Sequence, residues 1–153
     1  MMKVLLFLPL LPAAALAQFQ WIEITFDGVG CASCVESLPA RMQRMRGVES
    51  AKVDAAKGTL QVRLAAENRV RVEQVRDAIE QDGTKVRRAV VSIRGVVAGE
   101  GGAWTLKAAL LPAYGLRGDK LQPGSSLIDG DVVEVRPSSG PLTISVRQQK
   151  LLP

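Results

Sequence analysis

The chain has 153 residues and carries 20 Lys and Arg against 15 Asp and Glu, a formal charge of +5, with two Cys, no His and 4% aromatic residues. That length bounds the protein to one ordinary domain or two small ones. Two cysteines without histidine exclude a closed four-ligand zinc site. Charges of both signs alternate along the chain, as in Arg41, Arg44 and Arg46 against Glu36 and Glu49, and aromatics are scarce; this argues against a nucleic-acid surface and leaves an acidic partner surface open.

Residues 1–17 read as a secretory signal peptide. Lys3 supplies the basic n-region, residues 4–11 the apolar h-region, and Ala15-Leu16-Ala17 the small-residue cleavage site. The apolar stretch is shorter than the roughly 17 to 25 residues that span a bilayer. Cleavage after Ala17 is therefore expected, giving a periplasmic or secreted protein that does not span the membrane.

Beyond the leader, residues 21–26 alternate, placing Ile22, Ile24 and Phe26 on one face of a strand. Gly28-Val29-Gly30-Cys31-Ala32-Ser33-Cys34 follows and holds both cysteines. From Cys34 onward Leu38, Met42 and Met45 recur at helical spacing, and Gly47 stops the run. Pro39 lies inside that pattern and removes one backbone hydrogen bond, so a bend or a loosened first turn is expected. Residues 48–53 and 60–64 read as a hairpin across a turn at 54–58. Val72, Val75 and Ile79 mark a second amphipathic helix stopped at Asp82-Gly83, and 84 to about 90 a last strand. The order βαββαβ predicts a ferredoxin-like fold, a four-stranded antiparallel sheet with two helices on one face.

The CxxC pair can converge on one soft metal ion or close on itself as a disulfide. Unpaired N–H groups at a helix start favour a thiolate there. Soft thiolates select Cu(I)-like ions over Mg or Ca. Met42 and Met45 belong to the helix core, so two sulfurs stand alone. They suit ions of low coordination: Cu(I) first, with Ag(I) and Hg(II) beside it, while Zn(II) or Cd(II) would need a partner or a small thiol to complete the shell. The competing readings are a thioredoxin-type redox pair, suited to an oxidising compartment, and an oxidised pair with no further role. A four-residue ring adds little stability as a purely structural disulfide, and βαββαβ is not the thioredoxin order. Ser33 and Glu36 read as capping and helix-start electrostatics.

The stretch from Ile22 to about Val91 resembles a heavy-metal-associated (HMA) domain, the module of copper chaperones, of metal-pumping ATPase tails and of the small periplasmic mercury-binding protein. The residues that carry the resemblance are Gly28, Cys31 and Cys34, Gly47-Val48, Val53-Asp54, Ala78-Ile79 and Gly83. Val29 stands where the family usually has Met, and Thr84 where an aromatic is frequent. Copper chaperones tend to place a Lys near there to balance the anionic metal-bis(thiolate), and Lys85 is one residue further on. The resemblance implies a non-enzymatic protein with Cys31 and Cys34 as metal ligands. It also implies a metal-transporting membrane protein or another metal-binding protein as partner.

Near Ala89 the composition shifts to Gly, Val and Pro, with no linker, because residues 86–93 run on as extended chain. A rigid junction through a continuous strand is expected. Short strands follow at 91–97, 104–108, 114–116, 132–136 and 142–147, with turn signals at 99–102, Pro123-Gly124, Asp129-Gly130-Asp131 and 138–141. About five strands in this span suggest a small β-barrel or sandwich, with an OB-like barrel preferred. This half holds no Cys, His or Met and offers no soft ligand. Trp104 and Tyr114 read as core residues.

The chain thus reads as α+β: signal peptide 1–17, HMA domain 18–90 and a small all-β domain 91–153. The function expected is an exported metallochaperone or scavenger that binds one Cu(I)-like ion and passes it on. The alternatives are a thiol-disulfide oxidoreductase using the same pair, or an envelope interaction protein centred on the β domain.

Overall fold

A computed structural model describes residues 18–27, 31–108 and 110–153. The expected leader at 1–17 and the loop residues Gly28, Val29 and Gly30 lie outside the described residues. In chain order the elements are β1 (Gln18–Asp27), α1 (Ala32–Glu36), α2 (Leu38–Gln43), β2 (Val48–Asp54), β3 (Thr59–Leu64), α3 (Val72–Glu80), β4 (Lys85–Glu100), β5 (Ala103–Lys107), β6 (Tyr114–Arg117), β7 (Gly124–Val132) and β8 (Thr143–Leu151).

The first half is the expected ferredoxin-like sheet, β2-β3-β1-β4, antiparallel throughout. Alternation in β1 buries Ile22, Ile24 and Phe26, while Trp21, Glu23 and Thr25 stay partly open. Leu38 and Met42 of α2 and Val72, Val75 and Ile79 of α3 are fully or almost fully buried with them in one apolar core. This is the helical period meeting the strand period across one layer. The helix expected from Cys34 divides at Ser37 into α1 and α2. Pro39 sits in the first turn of α2, where a missing N–H costs little. Ser37 N–H still donates to Ser33 O, and Arg41 N–H to Ser37 O, both at 3.1 Å, so the two short helices follow one path.

α2 ends at Gln43 with Arg44 as its C-cap, short of the expected stop at Gly47, which lies in the following turn with φ +102°; a Cβ there would come within 2.8 Å of the Asn68 Cβ. Asn68 is buried under that turn. Its amide donates to the carbonyls of Phe19 and Ala65, each at 2.8 Å, and its Oδ1 accepts from Val70 N–H. The loop before α3 thereby satisfies its buried backbone groups without a ladder.

The two halves share β4. One edge pairs with β1 as far as Arg94 and then with β5 from Val96; the other pairs with β7 from Val90 to Val97. From there the circuit β4-β5-β6-β8-β7-β4 closes on itself, with only the β6–β8 pair parallel. This is a five-stranded OB-like barrel. Ile93, Leu106, Tyr114, Ile128 and Ile144 are among its fully buried residues. The strands expected separately at 84–90 and 91–97 are therefore one 16-residue strand, and the junction is continuous. Phe19 of β1 meets Tyr114 of β6 edge to face, with centroids 5.5 Å apart, so the cores of the two halves touch. Behind them Arg76 of α3 donates to Val135 O at 2.6 Å, and Arg136 pairs with Glu80.

Two strand expectations in this half are corrected. The strand placed at 132–136 lies instead at Gly124–Val132, so Asp129-Gly130-Asp131 is mid-strand rather than a hairpin turn. Ser126, Ile128, Gly130 and Val132 alternate inward, a period masked in sequence by the acidic and glycine residues. Gly130 is required by close approach, not by a turn: an added Cβ would overlap the Ser145 carbonyl oxygen, next to a register shift between Asp129 and Gly130. The last strand runs to Leu151, beyond the expected 147. Gly130→Ala is expected to destabilise the fold by about 1–3 kcal/mol through this overlap, measured as a fall in the denaturation midpoint; an unchanged midpoint would show that β8 yields freely.

Candidate metal site

Cys31 and Cys34 are brought together where the chain leaves β1 and enters α1. Their Cα atoms are 5.3 Å apart and the sulfurs are at disulfide distance. Cys31 has extended backbone (φ −146°, ψ 103°) and is the N-cap residue of α1, its sulfur accepting the Cys34 N–H at 3.2 Å. A sulfur thus fills the capping position usually held by a Ser, Thr, Asp or Asn oxygen. Both cysteines are partly exposed. Of the two neighbours read as capping and electrostatics, Ser33 does not cap; its hydroxyl lies 3.0 Å from the Cys31 sulfur. That contact is set by the side-chain rotamers of two residues in the same turn and leaves no signature in sequence.

The end of the sheet from which this loop departs is built from paired charges. Asp27 and Lys85 are register partners, and Arg87 forms an ion pair with Asp27. Arg41 of α2 donates to Ala78 O at 2.8 Å and to Asp82 at 3.3 Å, tying α2 to the C-terminal end of α3. Thr84 is buried and its hydroxyl donates to Asp82 Oδ1 at 2.6 Å; a polar anchor occupies the position where the family often has an aromatic. Lys85, one residue beyond the position where copper chaperones tend to place a Lys, is exposed at the start of β4. Among the described residues no group of three or more His, Cys, Asp or Glu is placed to hold a metal ion.

With this geometry stand the sequence relationships. Residues 23–85 match the heavy-metal-associated domain. The copper chaperone CopZ of Staphylococcus haemolyticus (strain JCSC1435) is 38% identical over 64 residues, which are 42% of this chain and 93% of that protein. The chain belongs to the heavy-metal-associated domain family. The HMA module is a non-enzymatic metal-binding unit, and the match to it ends at residue 85, the first residue of β4. Among solved structures, a CopZ metallochaperone is 28% identical, covering 44% of this chain and 98% of its own, with a TM-score of 0.40. The copper chaperone of Enterococcus hirae in its apo form is 27% identical, covering 46% and 97%, with a TM-score of 0.38.

Two carboxylates of the HMA–barrel scaffold are held below the ordinary range. The Thr84 hydroxyl, with help from its backbone N–H and from Arg41, lowers Asp82 against the opposing effect of burial. For Asp131, burial pushes upward but is outweighed by hydrogen bonds and charge from Arg88 and Arg147, which join β4, β7 and β8. A depressed folded pKa means that the stabilisation is complete above the unfolded carboxylate pKa of about 3.9 and is lost as pH falls through the lower folded value. Melting temperature is therefore expected to fall as pH drops below about 4, and less steeply in Asp82→Asn and Asp131→Asn, whose starting stability is lower. Parallel acid profiles for wild type and variants would contradict this.

Proposed function

We propose that the protein is an exported metallochaperone or scavenger whose Cys31 and Cys34 bind one Cu(I) ion and pass it to a metal-transporting membrane protein or another metal-binding protein. The observation that carries the proposal is the convergence of the two cysteine sulfurs at the start of α1, in a module 38% identical to a copper chaperone. Soft, low-coordinate ions match two thiolates, and Hg(II) and Ag(I) share that preference. Export rests on the leader-like residues 1–17, to be cleaved after Ala17, with a periplasmic or secreted destination. In the proposed division, 18–90 carries the metal and 91–153 is the barrel that docks or extends it.

Loading requires the open pair. A dithiol reductant supplies two electrons and two protons, becomes a disulfide itself and leaves Cys31 and Cys34 as thiols; incoming Cu(I) then displaces thiol protons to solvent. Stepwise exchange follows, with an acceptor thiolate replacing one cysteine before the other leaves. Access to the partly exposed sulfurs suits such an exchange.

The test is a Cu(I) titration of the reduced protein in competition with a chromogenic chelator, beside Cys31→Ser/Cys34→Ser. One equivalent bound, and none in the double variant, is the expected result. Binding indifferent to the cysteines would overturn the proposal.

A further inference from the structure

Two hydrogen bonds converge on the sulfur of Cys31. Cys34 N–H donates at 3.2 Å, and the Ser33 hydroxyl lies at 3.0 Å. A disulfide sulfur carries no proton, so in the structure Ser33 Oγ is the donor. The backbone N–H of Cys34 is shared with the Cys31 carbonyl, to which it donates at 3.1 Å, and does not depend on the side chain at 34; the hydroxyl bond depends on Ser33 alone. Ser33 is exposed, so burial does not require its hydroxyl to find this partner.

Building on the Cu(I) reading above, we propose that Ser33 is a positioning residue for the metal. Its hydroxyl remains on the Cys31 sulfur when the pair is reduced and loaded. There it faces a thiolate rather than a neutral sulfur, and a hydrogen bond to an ionised acceptor is roughly twice as strong as a neutral one. Two effects follow. The bond holds the Cys31 side chain in the orientation that presents its sulfur beside that of Cys34. It also draws charge from that sulfur, so the two ligands donate unequally and Cys31 is the one that yields first to an acceptor thiolate. Outer partners of metal ligands act in these two ways, and their loss costs roughly 10- to 100-fold in affinity.

The experiment compares reduced wild type with Ser33→Ala, Ser33→Thr and Ser37→Ala, using Cu(I) with a chromogenic competitor and the sulfur-to-copper charge-transfer absorption. Ser37 is the control because its hydroxyl donates to the Cys34 carbonyl, at 2.8 Å, and not to a sulfur. Ser33→Ala is expected to lower affinity about 10-fold and to move the charge-transfer band to longer wavelength, as a more electron-rich thiolate requires. Ser33→Thr, which keeps the hydroxyl, is expected to restore both, and Ser37→Ala to match wild type. If wild type binds one equivalent and Ser33→Ala matches it in affinity and spectrum, the Ser33 proposal falls and the metal reading stands. A Ser33→Ala defect that Ser33→Thr does not repair also overturns it, by showing a structural effect. If wild type itself binds no Cu(I), the metal reading falls and takes this proposal with it.

Discussion

Cys34→Ala is expected to lose Cu(I) affinity by at least about 100-fold while keeping its fold. The lower bound follows from the cost of disturbing a mere outer partner of a ligand, roughly 10- to 100-fold; removing one of two ligands costs more. The fold should survive because Cys34 is only partly buried, and because the ring closed between residues 31 and 34 is too short to restrict the unfolded chain much. The pair of readouts matters. Chelator competition reports the sulfur's contribution to the metal, and a melting curve of the metal-free protein reports its contribution to the scaffold. Full affinity in Cys34→Ala would remove the two-thiolate site. A collapsed melting curve would instead make the pair a staple. The same variant should show no Cu(I) transfer to a dithiol acceptor, since exchange needs one sulfur to hold the ion while the other lets go.

The second large effect concerns β4. Ile93 is fully buried, pairs in register with Phe19 on one side and Ile128 on the other, and stands where the sheet passes into the barrel. Ile93→Ala is expected to cost about 2–5 kcal/mol, the lost transfer energy plus the cavity left behind. The whole chain should feel that cost in one transition. Trp21 in the first sheet and Trp104 in the barrel provide separate fluorescence probes, read one at a time in Trp→Phe backgrounds. Coincident midpoints that shift together are expected, because Phe19 packs on Tyr114 and α3 is bonded to Val135 and Arg136. A Trp104 transition that moves while that of Trp21 stays would show two units unfolding independently.

The first half was legible because its residues obey a single period at a time. Ile22, Ile24 and Phe26 alternate, Val72, Val75 and Ile79 keep helical spacing, and the expected burial is found at each. The break at Ser37 was legible only as a consequence of Pro39, since nothing local distinguishes a bend from a division into two helices. The barrel was readable as a class but not in its strand ends. In β7, Asp129, Gly130 and Asp131 have turn composition, yet Asp131 is there to receive Arg88 and Arg147, and Gly130 to admit the Ser145 carbonyl. Both demands come from neighbours more than a dozen residues away, which a local pattern cannot contain. At the cysteine pair, residue type and spacing singled out both sulfurs, and the structure brings them together. The Ser33 hydroxyl was read as a cap because Ser is a common capping residue, whereas the Cys31 sulfur holds that place.

The closure of β7 onto β4 also bears on how copies of this chain behave in a crowded solution. An open antiparallel sheet has two rims, each a row of unpaired amides and carbonyls able to recruit a strand from another molecule. Here β7 occupies one rim over residues 90–97. Among the described residues the opposite rim is β2, a seven-residue strand with Glu49 and Lys52 exposed along it. Charges at such a margin oppose edge-to-edge stacking. The barrel thus covers the β4 rim of the sheet, and β7 pairs with β4 only from Val90 onward, short of the end of β1 and β4 from which the cysteine loop departs.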